Sequence, residues 1–203
     1  MWVRSRLDAL GWRVIVAGDS EPFSKSRAIM RAVASCTDEH VVLHDADVWC
    51  DTTVQAAADL DAHEWSIPHL TVWRLSKAGT TRLIDGHAPT PEDCTERHRG
   101  VLGGGIVAVR RETLLRVPFD TRFIGWGGED VSWGKAMQTL VGPPMRYADP
   151  VWHLWHPPAE RKTRALPARP ESERLLMRYV EANRNPEQMQ ALVEEAREAQ
   201  KEI

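Results

Sequence analysis

The stretch that most constrains the fold is "EHVVLHDAD", residues 39–47, in which a short apolar run passes directly into two carboxylates. A run of this length and composition reads as a buried β-strand. Alternate side chains of a strand share a face, so Val41, Leu43, Asp45 and Asp47 point the same way, with the two acids about 6.8 Å apart along it. Both can then address one ligand. The acids leave the strand at its C-terminal end, where open α/β sheets bind nucleotides. Two carboxylates there repel each other unless a cation sits beside them, and magnesium or manganese suits oxygen ligands and bridges carboxylates to diphosphates. The plainer reading is that Asp-Ala-Asp only caps a helix following Asp51.

The flanking sequence alternates. "GWRVIVAGDS" reads as a short buried strand ending in turn chemistry, "PFSKSRAIMRAVASC" as a helix, and "TTVQAAADLDAH" as the helix after the Asp-x-Asp strand, which is the pattern of an α/β sheet. "WSIPHLTVWRL" and "TTRLID" read as a strand pair joined by a "SKAG" turn, and "GHAPTPEDCTERHRG" as a polar loop. In "VLGGGIVAVRR" a glycine run that includes Gly104 and Gly105 lets the backbone approach something closely before a buried strand begins. Then come a loop, a double glycine and an amphipathic helix starting at an acidic pair, followed by a late strand, "MRYADPVWHLWHPP", stopped by prolines. Residues 1–158 form the expected catalytic domain, 159–170 a basic, proline-rich linker, and 171–203 a helical tail that restarts at Asn185-Pro186 and offers a homodimer interface.

A chain of 203 residues is one domain by size. With 26 basic and 29 acidic residues, its formal charge of -3 points to no nucleic-acid or membrane-surface partner, so a phosphate-bearing ligand must be handled locally. Cys36, Cys50 and Cys94 are scattered and lack Cys-x-x-Cys spacing, which argues against a disulfide framework and a zinc site and fits a reducing cytoplasm. No segment approaches the roughly 18 apolar residues of a membrane span, and no apolar signal core follows the charged start, so a soluble, cytoplasmic protein is expected. Nine tryptophans against three phenylalanines suit core packing and sugar stacking equally.

Two further motifs carry chemistry. In "FIGWGGEDVSWG", Gly127 and Gly128 leave room between Trp126 and the acids, and Glu129 and Asp130 fall in the first helical turn. Acids there are ordinary helix-dipole partners, but neighbouring acids project differently, which permits one to hold a substrate while the other takes a proton. "VWHLWHPP" offers His153 and His156; in extended backbone residues three apart face opposite ways, so one of them is expected to reach Asp47. A nitrogen ligand beside carboxylates tilts the ion toward manganese.

Together these segments resemble the GT-A glycosyltransferases, in particular the galactosyltransferase C-terminal-domain group of β-1,4-galactosyltransferases, bacterial chondroitin polymerase and polypeptide N-acetylgalactosaminyltransferases. The resemblance covers residues 12–158 and is most specific over "GGGIVAVRRETLLRVPFDTRFIGWGGED". It implies a Rossmann-like mixed sheet flanked by helices. It also implies that Asp47, with Asp45 as a second candidate, binds Mn2+ (or Mg2+) with the diphosphate, and that His153, or else His156, completes the shell. Asp19 would lie near the uracil or ribose, Arg27 of "FSKSRA" would contact the uridine, and Trp126 would stack on a sugar. Asp130 would be the general base and Glu129 would hydrogen-bond acceptor or donor sugar. Arg161, Lys162 and Arg164 would sit on a loop closing over the diphosphate. One departure is that family members usually begin with a strand and loop covering the base, and here the pattern starts about one strand late.

The expected reaction is metal-dependent, inverting transfer from a nucleotide sugar, of the UDP-galactose or UDP-N-acetylgalactosamine type, to a hydroxyl of a glycan or protein acceptor. A nucleotidyltransferase would share the sheet and the Asp-x-Asp without needing residues 126–130. A hydrolase would need two carboxylates about 5 to 10 Å apart across a sugar. A degenerate sugar-nucleotide-binding protein would bind without turnover.

Overall fold

The structure is a computed structural model and describes residues 2–20, 22–125, 127–157 and 169–201. In chain order its elements are α1 (Trp2–Ala9), α2 (Lys25–Ala34), β1 (His40–His44), β2 (Val48–Trp49), α3 (Thr53–Ala58), β3 (Trp65–Ile67), β4 (Thr71–Leu75) and α4 (Lys77–Ile84). They continue with β5 (Cys94–Arg99), β6 (Ile106–Arg110), α5 (Arg111–Arg116), α6 (Glu129–Leu140), β7 (Met145–Arg146), β8 (Pro150–His153), α7 (Pro170–Glu181) and α8 (Pro186–Gln200).

The expected α/β class holds, as two four-stranded mixed sheets flanked by helices, ordered β1-β6-β3-β7 and β2-β8-β4-β5. In the first, β6 runs antiparallel to both β1 and β3, and β3 runs parallel to β7; in the second, β8 is parallel to β4 and antiparallel to β2. The β1 and β2 strands are joined by Asp45, Ala46 and Asp47, so the Asp-x-Asp stretch is the crossing between sheets.

Four readings of the sequence change. The "WRVIVA" stretch forms no strand: residues 12–20 carry no regular structure, and Ile15 and Val16 are 40% and 70% exposed. Its β-forming side chains are present, but a strand exists only by pairing, and among the described residues none pairs with it. "TTRLID" lies in α4 rather than in a hairpin, because Ser76 caps that helix by accepting from Gly79 N at 2.9 Å, so "SKAG" is a helix start. The partner of β4 is β5, drawn from the expected polar loop; it is an outer strand with an exposed surface, which hides its periodicity. The strand β1 ends at His44, so the acids after it do not keep the shared face expected of them.

The main core lies between the first sheet and α2, α6, α7 and α8. Trp133 stacks on Phe119 with ring centroids 4.5 Å apart and meets Trp65 edge-on at 5.8 Å, so these indoles serve packing rather than a ligand. The tail contributes Leu175, Tyr179, Met189 and Val193 to the same core. Its apolar stripe is spent within the chain, leaving Met177 and Val180 as the exposed large apolar residues of these two helices. Asn185 caps α8 by accepting from Gln188 N, with Pro186 at the first position, as its sequence suggests. No helix of the described residues is long and apolar enough to cross a membrane.

Candidate active site

The glycine run at residues 103–105 lies against the start of α6. A Cβ on Gly103 would run into the Asp130 carbonyl oxygen, and one on Gly104 would sit 3.1 Å from Asp130 Oδ2. Gly105 has φ +78°, and a side chain there would press on the buried ring of His69, 3.0 Å from Nε2. What the run approaches closely is therefore α6 and His69. Its consequence is that the Asp130 carboxylate lies at the backbone of Gly104. Before α6, Gly127 and Gly128 have φ +93° and +95°, a left-handed turn that delivers Glu129 and Asp130 into the first helical turn.

One cavity of about 1120 Å3 takes in Asp45, Asp47, Gly104, Gly105, Glu129, Asp130, His153 and His156. Its first half is a carboxylate–diimidazole trio with the geometry to hold a metal ion. Nε2 of His156 lies 3.2 Å and Nε2 of His153 3.7 Å from Asp47 Oδ2, and one ligand atom from each residue fits within 4.8 Å of the others. Both histidines reach Asp47, where one was expected. The reason is local: β8 ends at His153, and the non-strand segment after it swings His156 back to the same side. The Nδ1 atoms of His153 and His156 face the carbonyl oxygens of Leu154 and Pro157 at 3.1 and 2.9 Å. A carbonyl only accepts, so each Nδ1 carries the hydrogen; in the neutral ring Nε2 is then the atom with a lone pair, which in His153 accepts from Arg74 Nη1 at 3.3 Å. Burial holds His153 below its ordinary pKa, against the pull of Asp47, and so favours the neutral ligand form. One carboxylate and two imidazoles suit manganese better than magnesium, which prefers an all-oxygen shell.

The second half is acidic and holds one cation. Lys25 Nζ bridges Asp45 Oδ1 at 2.8 Å and Asp130 Oδ1 at 3.1 Å. Asp45 also accepts from Gly105 N at 3.3 Å, so it belongs here and not with the trio, a second consequence of β1 stopping at His44. Glu129 is buried, and among the described residues its Oε2 has no hydrogen-bond partner. Burial raises the Asp130 carboxyl, Lys25 opposes it, and Glu129 and Asp45 add to the rise, leaving the group pushed up to about 7. The Asp130 side chain keeps 22% of its surface open to the cavity, but dense protein surrounds the rest. Burial pulls Lys25 down, and Asp130 and Asp45 outweigh it, so the ammonium stays charged.

Asp19 and Arg27 are not brought to the cavity. The Asp19 side chain is fully buried, pairs with Arg27 and Arg31 at 2.7 Å each and accepts from Ser24 N at 2.8 Å. Arg27 is turned back onto Asp19 and the Pro22 carbonyl, so the expected uridine contacts are spent on fixing the start of α2. Trp126 and the basic residues Arg161, Lys162 and Arg164 lie outside the described residues. Sequence reasoning missed Lys25, two positions before the arginine it chose, and Arg74, whose Nη1 stands 3.3 Å from His153 Nε2. The signal for Lys25 was its place in the same helix start; Arg74 sits in a strand mid-sheet and carried none. No protein-family model matches the chain, and no curated protein matches it.

Proposed function

We propose that the chain is a metal-dependent, inverting glycosyltransferase of the GT-A type, moving a sugar from a nucleotide sugar of the UDP-galactose or UDP-N-acetylgalactosamine class to an acceptor hydroxyl on a glycan or protein. The supporting observation is one cavity that holds both a carboxylate–diimidazole trio and a separate acid poised near neutral pH. Inverting transfer needs these two things apart. Asp47, His153 and His156 would hold a divalent ion, which supplies charge neutralisation to the departing diphosphate. Arg74, in the same wall, adds a fixed positive charge. Across the cavity Asp130 takes the proton of the acceptor hydroxyl as the new bond to the anomeric carbon forms and the bond to the diphosphate breaks. Glu129 and Lys25 set the protonation of Asp130.

A second reading, a sugar-nucleotide-binding protein without turnover, has one observation in its favour: Lys25 is clamped on Asp130 and neutralises it. A hydrolase pair of Asp45 and Asp130 is disfavoured, because the Lys25 ammonium, bonded to both acids, stands where the sugar would have to lie. Incubation with UDP-galactose or UDP-N-acetylgalactosamine and manganese, with UDP release followed with and without chelator, separates these readings. Metal-dependent release supports transfer chemistry, binding without release supports the second reading, and no binding sinks both.

A further inference from the structure

The same cavity extends away from the acids into a slot with two unpaired backbone edges. The strand β1 sits at the end of its sheet, with β6 as its one neighbour. Asp45 N bonds to Gly105 O at 2.9 Å and Arg111 N to Glu39 O at 2.7 Å. In an antiparallel pair the bonded positions alternate, so Val41 and Leu43 bond to β6, while the N–H and C=O groups of His40, Val42 and His44 face outward. The segment 12–17 and residues 40–44 both line the cavity. Among the described residues no main-chain hydrogen bond joins the two. Arg13, ion-paired to Asp38 just before β1, ties the segment across the slot.

The slot's other walls are apolar and helical. Val3 and Leu7 of α1 line it, as do Ala28, Ile29 and Ala32 of α2. We propose that this slot takes one extended, apolar polypeptide strand from another polypeptide, hydrogen-bonded to the outer edge of β1 and covered on both faces by the helices. Main-chain complementarity selects the occupant: an acyl chain or small apolar molecule would fill the volume but leave the outward groups of His40, Val42 and His44 without partners. A strand satisfies them and buries apolar side chains on both faces, the composition of a fully covered strand. The exposed Ile15 and Val16 would gain cover by the same event.

The test uses the whole chain without metal or nucleotide, so its outcome is independent of the transferase reading. The probe is a synthetic peptide, Thr-Val-Ile-Val-Ile-Val-Lys-Lys, whose apolar part spans roughly five residues at about 3.3 Å each. Amide hydrogen exchange is read residue by residue. In the free chain Val42 and His44 should exchange much faster than Val41 and Leu43, and saturating peptide should slow them by roughly tenfold or more. The same peptide with proline at alternate positions, which removes the donors, should have no effect. Three outcomes overturn the proposal: Val42 and His44 already as slow as Val41 and Leu43, protection that rises with protein concentration alone and so reports a second copy on the edge, or no change on adding peptide.

Discussion

Asp47, His153 and His156 keep 38%, 15% and 35% of their side-chain surface exposed, and Lys25, Asp45 and Asp130 keep 19%, 34% and 22%, so the two halves differ less in exposure than in the partners their acids find. The difference governs how each half carries charge. Among the described residues Asp47 faces two imidazole rings and no ammonium, and a carboxylate so placed lowers its energy by taking up an ion in exchange for water. Asp45 and Asp130 already share an ammonium, so their charge is offset by Lys25 and, at Asp130, adjusted by proton uptake. One half of the cavity is therefore a place to bind, and the other a place to hold or move a proton.

The strongest way to break this division is Asp47→Ala. It should lower manganese affinity by more than about 100-fold and abolish metal-dependent UDP binding in calorimetric titration, since it removes a direct ligand. Retained affinity would show that the trio is not the ion site. Next, Asp130→Asn should leave manganese and UDP affinity unchanged while reducing sugar transfer by about 10^2 to 10^4. Equal loss of binding in the two variants would erase the distinction between the halves.

The pH dependence sharpens the acidic half. Transfer should rise with pH through about 7 as Asp130 loses its proton. Lys25→Met, which removes the cation that opposes the rise, should move that midpoint upward. Stability runs the other way. The folded pKa lies above the unfolded one, so the native state retains a proton that the unfolded chain has released, and the stabilisation present at low pH is lost as pH rises from the ordinary carboxylate range through about 7. Chemical denaturation from pH 4 to 8 would show this slope flattened in Asp130→Asn. The smallest effect is expected for Arg74→Gln, where removing a half-exposed cation 3.3 Å from His153 should tighten manganese binding about two- to fivefold in the absence of nucleotide and leave the pH midpoint in place.

Much of this site was legible in the chain because its chemistry is local. Gly127 and Gly128 followed by Glu129 and Asp130 specify a turn and a helix start by backbone rules alone, and the glycine run at 103–105 announces a close approach wherever it lies. What failed was every inference that extended a strand past its end. Asp45 and Asp47 were placed on one face and His153 and His156 on opposite faces by a period of two, and both statements lapse where β1 and β8 stop. Asp19 and Arg27 pair with each other and neither lines the cavity.

By itself the sequence determined the α/β class, the helix restart at Asn185, and the residue types available for metal and proton chemistry, because propensity, capping and turn geometry act over a few residues. Only the tertiary structure decided which acid faces which cation. Lys25, Asp45 and Asp130 are brought together from α2, the end of β1 and the start of α6, and the charge each carries depends on burial that no single segment contains.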